Sequence, residues 1–167
     1  MNKKYLLQEL TVSDLSKIAL VTTLYVVITF AFSAISFGPI QFRLAEIFNF
    51  LPLFNKRYVP SVVLGVAIAN FVSPLGIIDV IVGSLSTFLV LLIVLLVTQQ
   101  MTSLKNKIIV TSLIFALSMF TVAGMLAVFY HMPFWITYGF VALGEALSMG
   151  LTGCLIYGVS QRIDLTQ

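Results

Sequence analysis

Charge is what this sequence has least of. Only 9% of its 167 residues are charged, against 60% hydrophobic, where a soluble domain carries about 25% charged residues. That balance excludes a soluble globular domain and points to a membrane protein. Cysteine is nearly missing as well: Cys154 stands alone, which excludes an internal disulfide framework. The chain carries no Walker A pattern, no zinc-ligand cluster and no Ser/His/Asp set. No cofactor is therefore expected in this chain, and any energy from ATP must come from a partner. The formal net charge of +3 sits in basic residues beside apolar runs, which reads as membrane topology rather than nucleic-acid binding.

What is present is six apolar segments, approximately Leu15–Ile35, Ile40–Phe54, Tyr58–Val72, Ile77–Thr98, Ile108–Tyr130 and Phe134–Ser160. About 20 residues at ~1.5 Å each cross a hydrocarbon core of ~30 Å. Segments one, four, five and six meet that length. The second and third, at 15 residues each, are expected as short helices inside a bundle or as a hairpin that dips in and returns. Eight of the nine basic residues flank alternate connections: Lys3, Lys4, Lys17, Lys56, Arg57, Lys105, Lys107 and Arg162. The positive-inside rule assigns that side to the cytoplasm, with both termini inside. The expected organisation is a cytoplasmic segment 1–14, a six-helix transmembrane domain 15–160 and a cytoplasmic tail 161–167. Signal-peptide cleavage after "AFSA" competes poorly, because the n-region is long and carries Glu9 and Asp14. Residues 5–17 are expected as a short amphipathic surface helix, with Leu6, Leu7, Leu10 and Leu15 on its apolar side.

Four ionisable residues interrupt the apolar runs: Arg43, Glu46, Asp79 and Glu145. An ionised group at mid-bilayer costs about 2.5–3.5 kcal/mol on insertion scales, so their presence needs a reason. Arg43, Glu46 and Asn49 recur every three residues and share one face. A structural reading pairs Arg43 with Glu46 or Asp79 to lock helices together. It leaves two carboxylates without a cationic partner, so either those acids are neutral or a cationic, donor-rich ligand visits them. Trp135, Tyr138 and Glu145 are read as one stripe of the last segment, an aromatic face above a carboxylate that suits a flat ligand. Trp135 also fits an interfacial aromatic belt, and His131 reads as an interfacial residue. Ala142, Ala146, Gly150, Cys154 and Gly158 form a small-residue ridge for close helix packing.

The runs "FGPIQFRLAEIFNFLPLF" and "VPSVVLGVAIANFVSPLGIIDVIVGSLSTFL" resemble the QueT family of queuosine-precursor transporters, and the similarity extends over nearly the whole chain. That family belongs to the substrate-binding S-components of energy-coupling-factor (ECF) transporters. The resemblance implies an all-α, six-helix bundle in the bacterial cell membrane that captures its ligand from outside. A transmembrane coupling subunit and two cytoplasmic ATPases would drive uptake. S-components carry an Ala-x-x-x-Ala docking motif on the first helix; the matching positions here read Ala19 and Thr23. The implied ligand is 7-aminomethyl-7-deazaguanine or a close relative. Its site is expected at Gln41, Arg43, Glu46, Asn70, Asp79, Trp135, Tyr138 and Glu145. Glu145 and Asp79 are expected to accept from the ligand, Arg43 or Gln41 to donate to its carbonyl, and Trp135 or Tyr138 to stack on its ring. Asn70 either joins the site or bridges helices. The rival readings are an S-component for another vitamin-like molecule, or an intramembrane enzyme or proton-linked carrier using Glu46 or Glu145. Against an enzyme stands the missing nucleophile–base or metal set. Against a self-powered carrier stand the small size and the lack of an internal repeat.

Overall fold

Thr11 opens the first helix with a capping box: its hydroxyl accepts from the Asp14 backbone N–H at 3.2 Å, while its own N–H donates to Asp14 Oδ2 at 2.9 Å. A computed structural model describes residues 11–38 and 40–166; residues 5–10 of the expected amphipathic surface helix lie outside them. Among the described residues all regular structure is helical. Helix α1 (Val12–Ala31) is followed by one turn, α2 (Ser33–Ser36), and then by a 3-10 helix over Leu44–Leu53. A short turn, Lys56–Tyr58, leads into α3 (Val59–Ala69). Helices α4 (Ile77–Thr98), α5 (Leu104–Ser118), α6 (Phe120–Tyr130) and α7 (Phe134–Ser160) complete the chain.

Four stretches are long and apolar enough to cross a membrane: Val12–Ala31, Ile77–Thr98, Leu104–Tyr130 and Phe134–Ser160. They correspond to the segments expected to qualify. The second segment departs from the α-helical expectation. It winds as a 3-10 helix for ten residues with Pro52 inside, a long run for that geometry. A 3-10 helix has three residues per turn, so side chains spaced by three stack directly above one another. Arg43 caps this helix, and the polar spacing of Glu46 and Asn49 matches its period; both are buried.

The fifth segment is interrupted. Ser118 Oγ donates to the Phe115 carbonyl at 2.7 Å and Thr121 Oγ1 donates to the Ser118 carbonyl at 2.9 Å. Such side-chain bonds compete with the helix ladder, and the chain divides into α5 and α6 around Met119. His131 ends α6 in the left-handed region at φ 54° and is exposed.

Helix α7 is the most enclosed of the four long spans, with 44% of its apolar window buried against 17–28% for the others. It packs on α5, on α6 and on the 3-10 helix, while α3 packs between α1 and α4. The shared core joins Tyr25, Phe50, Val62, Leu91, Phe115 and Met149. Outward-facing leucines at spacings of four, Leu143, Leu147, Leu151 and Leu155, are each about half exposed. Apolar side chains on the outside of helices whose backbone bonds are satisfied within the helix suit a lipid solvent. Near the ends of α1 and the 56–58 turn, Asp14 Oδ1 pairs with Arg57 Nη1 at 2.7 Å.

Candidate functional site

The 3-10 helix delivers Glu46 into a cavity shared with α3, α4, the α5–α6 break and α7. Arg43, Glu46, Asn70, Asp79 and Glu145 line it, with Gln41 at its edge. Glu46, Asn70, Asp79 and Glu145 are each at most 5% exposed. Six of the eight residues expected at a site thus meet in one place, drawn from four separate stretches of chain.

Each group has a defined setting. Glu46 Oε1 accepts from the Tyr25 hydroxyl at 3.4 Å, and its Oε2 accepts from Asn49 Nδ2. Asn70 Nδ2 donates to the Asp79 backbone carbonyl at 3.0 Å, so Asn70 both bridges helices and faces the cavity. Gly83 makes room for that contact: a Cβ there would sit 2.6 Å from Asn70 Nδ2 and 3.0 Å from Asp79 Oδ1. The Arg43 side chain takes another course from the pairing considered on sequence grounds. Its Nε donates to the Ser36 carbonyl at 3.3 Å, and its guanidinium lies 5.1 Å from the centre of the Phe37 ring. Among the described residues no carboxylate lies within ion-pair distance of Arg43. The Arg43 backbone is held instead by Ser148 on α7, whose hydroxyl donates to the Arg43 carbonyl. Gly144 permits this approach, since a Cβ there would overlap the Ile40 carbonyl oxygen.

Among the described residues, two buried polar atoms of cavity-lining side chains have no hydrogen-bond partner: Glu145 Oε1 and Asn70 Oδ1. An unmet buried acceptor costs about 1–3 kcal/mol, more when charged. Asn70 Oδ1 is an acceptor, and so is Glu145 Oε1 when the acid is ionised; each then lacks a donor. Among the described residues no group of three His, Cys, Asp or Glu could hold a metal ion.

Trp135 and Tyr138 do not belong to this cavity. Trp135 is 79% exposed and packs edge-on against Phe134. Tyr138 stacks parallel to Phe134, and its hydroxyl donates to the Leu117 carbonyl at 3.4 Å. The ten-residue step from Trp135 to Glu145 leaves the ring about 80° around the helix from the carboxylate, at ~100° per residue. The aromatic wall is Phe115, 3% exposed. Sequence reasoning passed over it, together with Ser118 and Thr121 at the α5–α6 break and Thr87 on α4, which also line the cavity. Ser118 and Thr121 carried a signal, as hydroxyls spaced by three inside an apolar run.

The polar cavity encloses about 40 Å³, room for a few water molecules. Beside it a larger cavity of about 420 Å³ is lined by Phe37, Ser73, Pro74, Tyr130 and Phe140. Gln41 lines both. It does so with a left-handed backbone, φ 53°, which few residues other than glycine adopt.

Apolar helices long enough to cross a bilayer, closing around a buried polar cavity, define a multi-pass membrane protein. The chain belongs to the QueT transporter family, whose model, described as "QueT transporter", matches residues 15–162. It is 37% identical over 163 residues to the "Queuosine precursor transporter QueT" of Lactococcus lactis subsp. cremoris (strain MG1363), covering 92% of this chain and 96% of that protein. No solved structure matches it. The protein is thus a bacterial multi-pass membrane transporter and not an enzyme.

Proposed function

We propose that this chain is the substrate-binding S-component of an ECF transporter and takes up 7-aminomethyl-7-deazaguanine or a close relative. The substrate reading rests on one observation above the rest: Glu145 Oε1 is buried, unpartnered and on the cavity wall. A guanine-like edge offers a ring N–H and an exocyclic NH₂, which one carboxylate accepts together. Glu145 takes that role. The cationic aminomethyl group is met by Asp79 or Glu46, its charge offsetting the excess of acids around Arg43. Gln41 or Arg43 donates to the ligand carbonyl, Asn70 Oδ1 accepts, and Phe115 supplies the ring against which a planar ligand lies. The small polar cavity and its larger neighbour merge for entry when Gln41 moves aside.

In this reading the 3-10 helix and α3 form the short second and third members of a six-helix bundle, α5 and α6 act as one broken fifth member, and both termini are cytoplasmic. Ala19 and Thr23 are exposed on α1, available to the coupling subunit. The Thr23 hydroxyl already donates to the Ala19 carbonyl at 2.8 Å, so an apolar partner covers it at little cost. Two cytoplasmic ATPases of the same assembly supply the energy.

The test is calorimetric titration of the purified protein with 7-aminomethyl-7-deazaguanine, guanine, biotin and riboflavin. Saturable binding of the deazapurine is expected, with Glu145→Gln weakening it roughly 30-fold or more, as for other buried charge-assisted contacts. Binding of another vitamin in its place would move the assignment to a different S-component. Uptake in cells should require a co-expressed coupling subunit and ATPases; uptake without them would favour a proton-linked carrier.

A further inference from the structure

We propose that the groove between α5 and α7 binds one anionic phospholipid, with an acyl chain seated between the helices and its phosphate on Lys105. The groove is large, about 530 Å³, and distinct from the solute cavity. Lys105, Ser112 and Ala116 line one side and Tyr157, Gly150 and Ala146 the other. The two helices run antiparallel, so residues at matching heights face each other across it. At one end the Lys105 ammonium lies 5.3 Å from the centre of the Tyr157 ring. At the other end Ala116 and Ala146 leave the floor apolar.

Three features select the occupant. Eleven residues separate Lys105 from Ala116, about 16 Å of helix, close to half of a ~30 Å hydrocarbon core. The groove therefore has the depth of a single leaflet, as an acyl chain does. The small residues on α7 form a channel rather than a ridge, and a Cβ added at Gly150 would meet nothing within 4 Å. Lys105 has no carboxylate within ion-pair distance among the described residues, and Tyr157 holds its ammonium at the groove's mouth, where a headgroup lies. A neutral zwitterionic headgroup answers that isolated charge less well than an anionic one.

Native mass spectrometry of the full chain, released from detergent containing equal phosphatidylglycerol and phosphatidylcholine, tests this. One phosphatidylglycerol should be retained about fivefold over phosphatidylcholine, the weight of one lysine at an anionic surface. Lys105→Gln should remove that preference, Gly150→Leu should remove the lipid by filling the channel, and Lys56→Gln, which does not line the groove, should change neither. Equal retention of the two lipids, or a preference untouched by Lys105→Gln, overturns the proposal. Efficient Cys154–Cys154 cross-linking in proteoliposomes also overturns it, because a second copy would then occupy the groove. Gly150→Leu is read only if its thermal unfolding matches the parent; Lys105→Gln decides the matter without it.

Discussion

Tyr25 on α1 and Glu46 on the 3-10 helix meet in the protein interior, the phenol donating to the carboxylate at 3.4 Å, with Tyr25 only 1% exposed. That contact ties the first helix to the wall of the acid-lined cavity. It also means Glu46 is already partly satisfied by protein donors, from Tyr25 and Asn49, whereas Glu145 keeps a free acceptor. The two acids are therefore not equivalent. Glu46 is the better candidate for fixing geometry, Glu145 for meeting the solute.

Tyr25→Phe removes one of those donors while keeping the ring. Thermal unfolding in detergent should show a loss of about 1–3 kcal/mol, the cost of an unmet buried acceptor. Solute affinity should fall less than in Glu145→Gln. A larger affinity loss in Tyr25→Phe would reverse the division of labour between the two acids.

Gly144→Ala places a methyl where the Ile40 carbonyl lies. The loop carrying Gln41 and Arg43 must move away from α7, straining the Ser148 bond to Arg43. Overpacking of this kind costs about 1–3 kcal/mol, visible in unfolding, with solute affinity reduced in calorimetry. Unchanged affinity would show that the loop's position does not set the site.

Gly83→Ala forces Asn70 and Asp79 apart, because the new methyl crowds both side chains. The Asn70 bond to the Asp79 carbonyl should be lost, with a stability cost of about 1–3 kcal/mol. Gly124→Ala, where a Cβ meets nothing within 4 Å, is the matched control and should unfold like the parent.

Trp135→Phe should leave solute affinity within about twofold, as expected for a surface substitution away from special features. The same exposure makes tryptophan fluorescence a weak reporter of binding. Strong quenching of Trp135 by the solute would place the ligand outside the acid-lined cavity.

The sequence made much of this legible. Spans one, four, five and six followed from length and apolarity alone. Arg43, Glu46 and Asn49 were recognisable as one face from their spacing, although a three-residue period is that of a 3-10 helix rather than an α-helix. Pro52 and the shortness of the segment carry the same message. The gathering of Asp79, Asn70 and Glu145 with Glu46 rested on their being polar where lipid would reject them. Trp135 was misplaced because a ten-residue spacing drifts around a helix, so a shared stripe over three turns was not a shared face. Phe115 was hidden among many phenylalanines, which differ in exposure and not in identity. The ion pair considered for Arg43 does not form among the described residues: its Nε is taken by the Ser36 carbonyl, and its guanidinium lies against the Phe37 ring.

The winding of Leu44–Leu53 has a further consequence for how this region tolerates change. At ~2.0 Å per residue a 3-10 helix carries ten residues over about 20 Å, where α-winding gives about 15 Å. The same ten residues thus reach about 5 Å further as a more slender rod, which lines the polar cavity through Glu46. A single residue inserted between Glu46 and Asn49 would turn the amide about 120° from the acid, so length in this segment is far less negotiable than residue identity on its outer side.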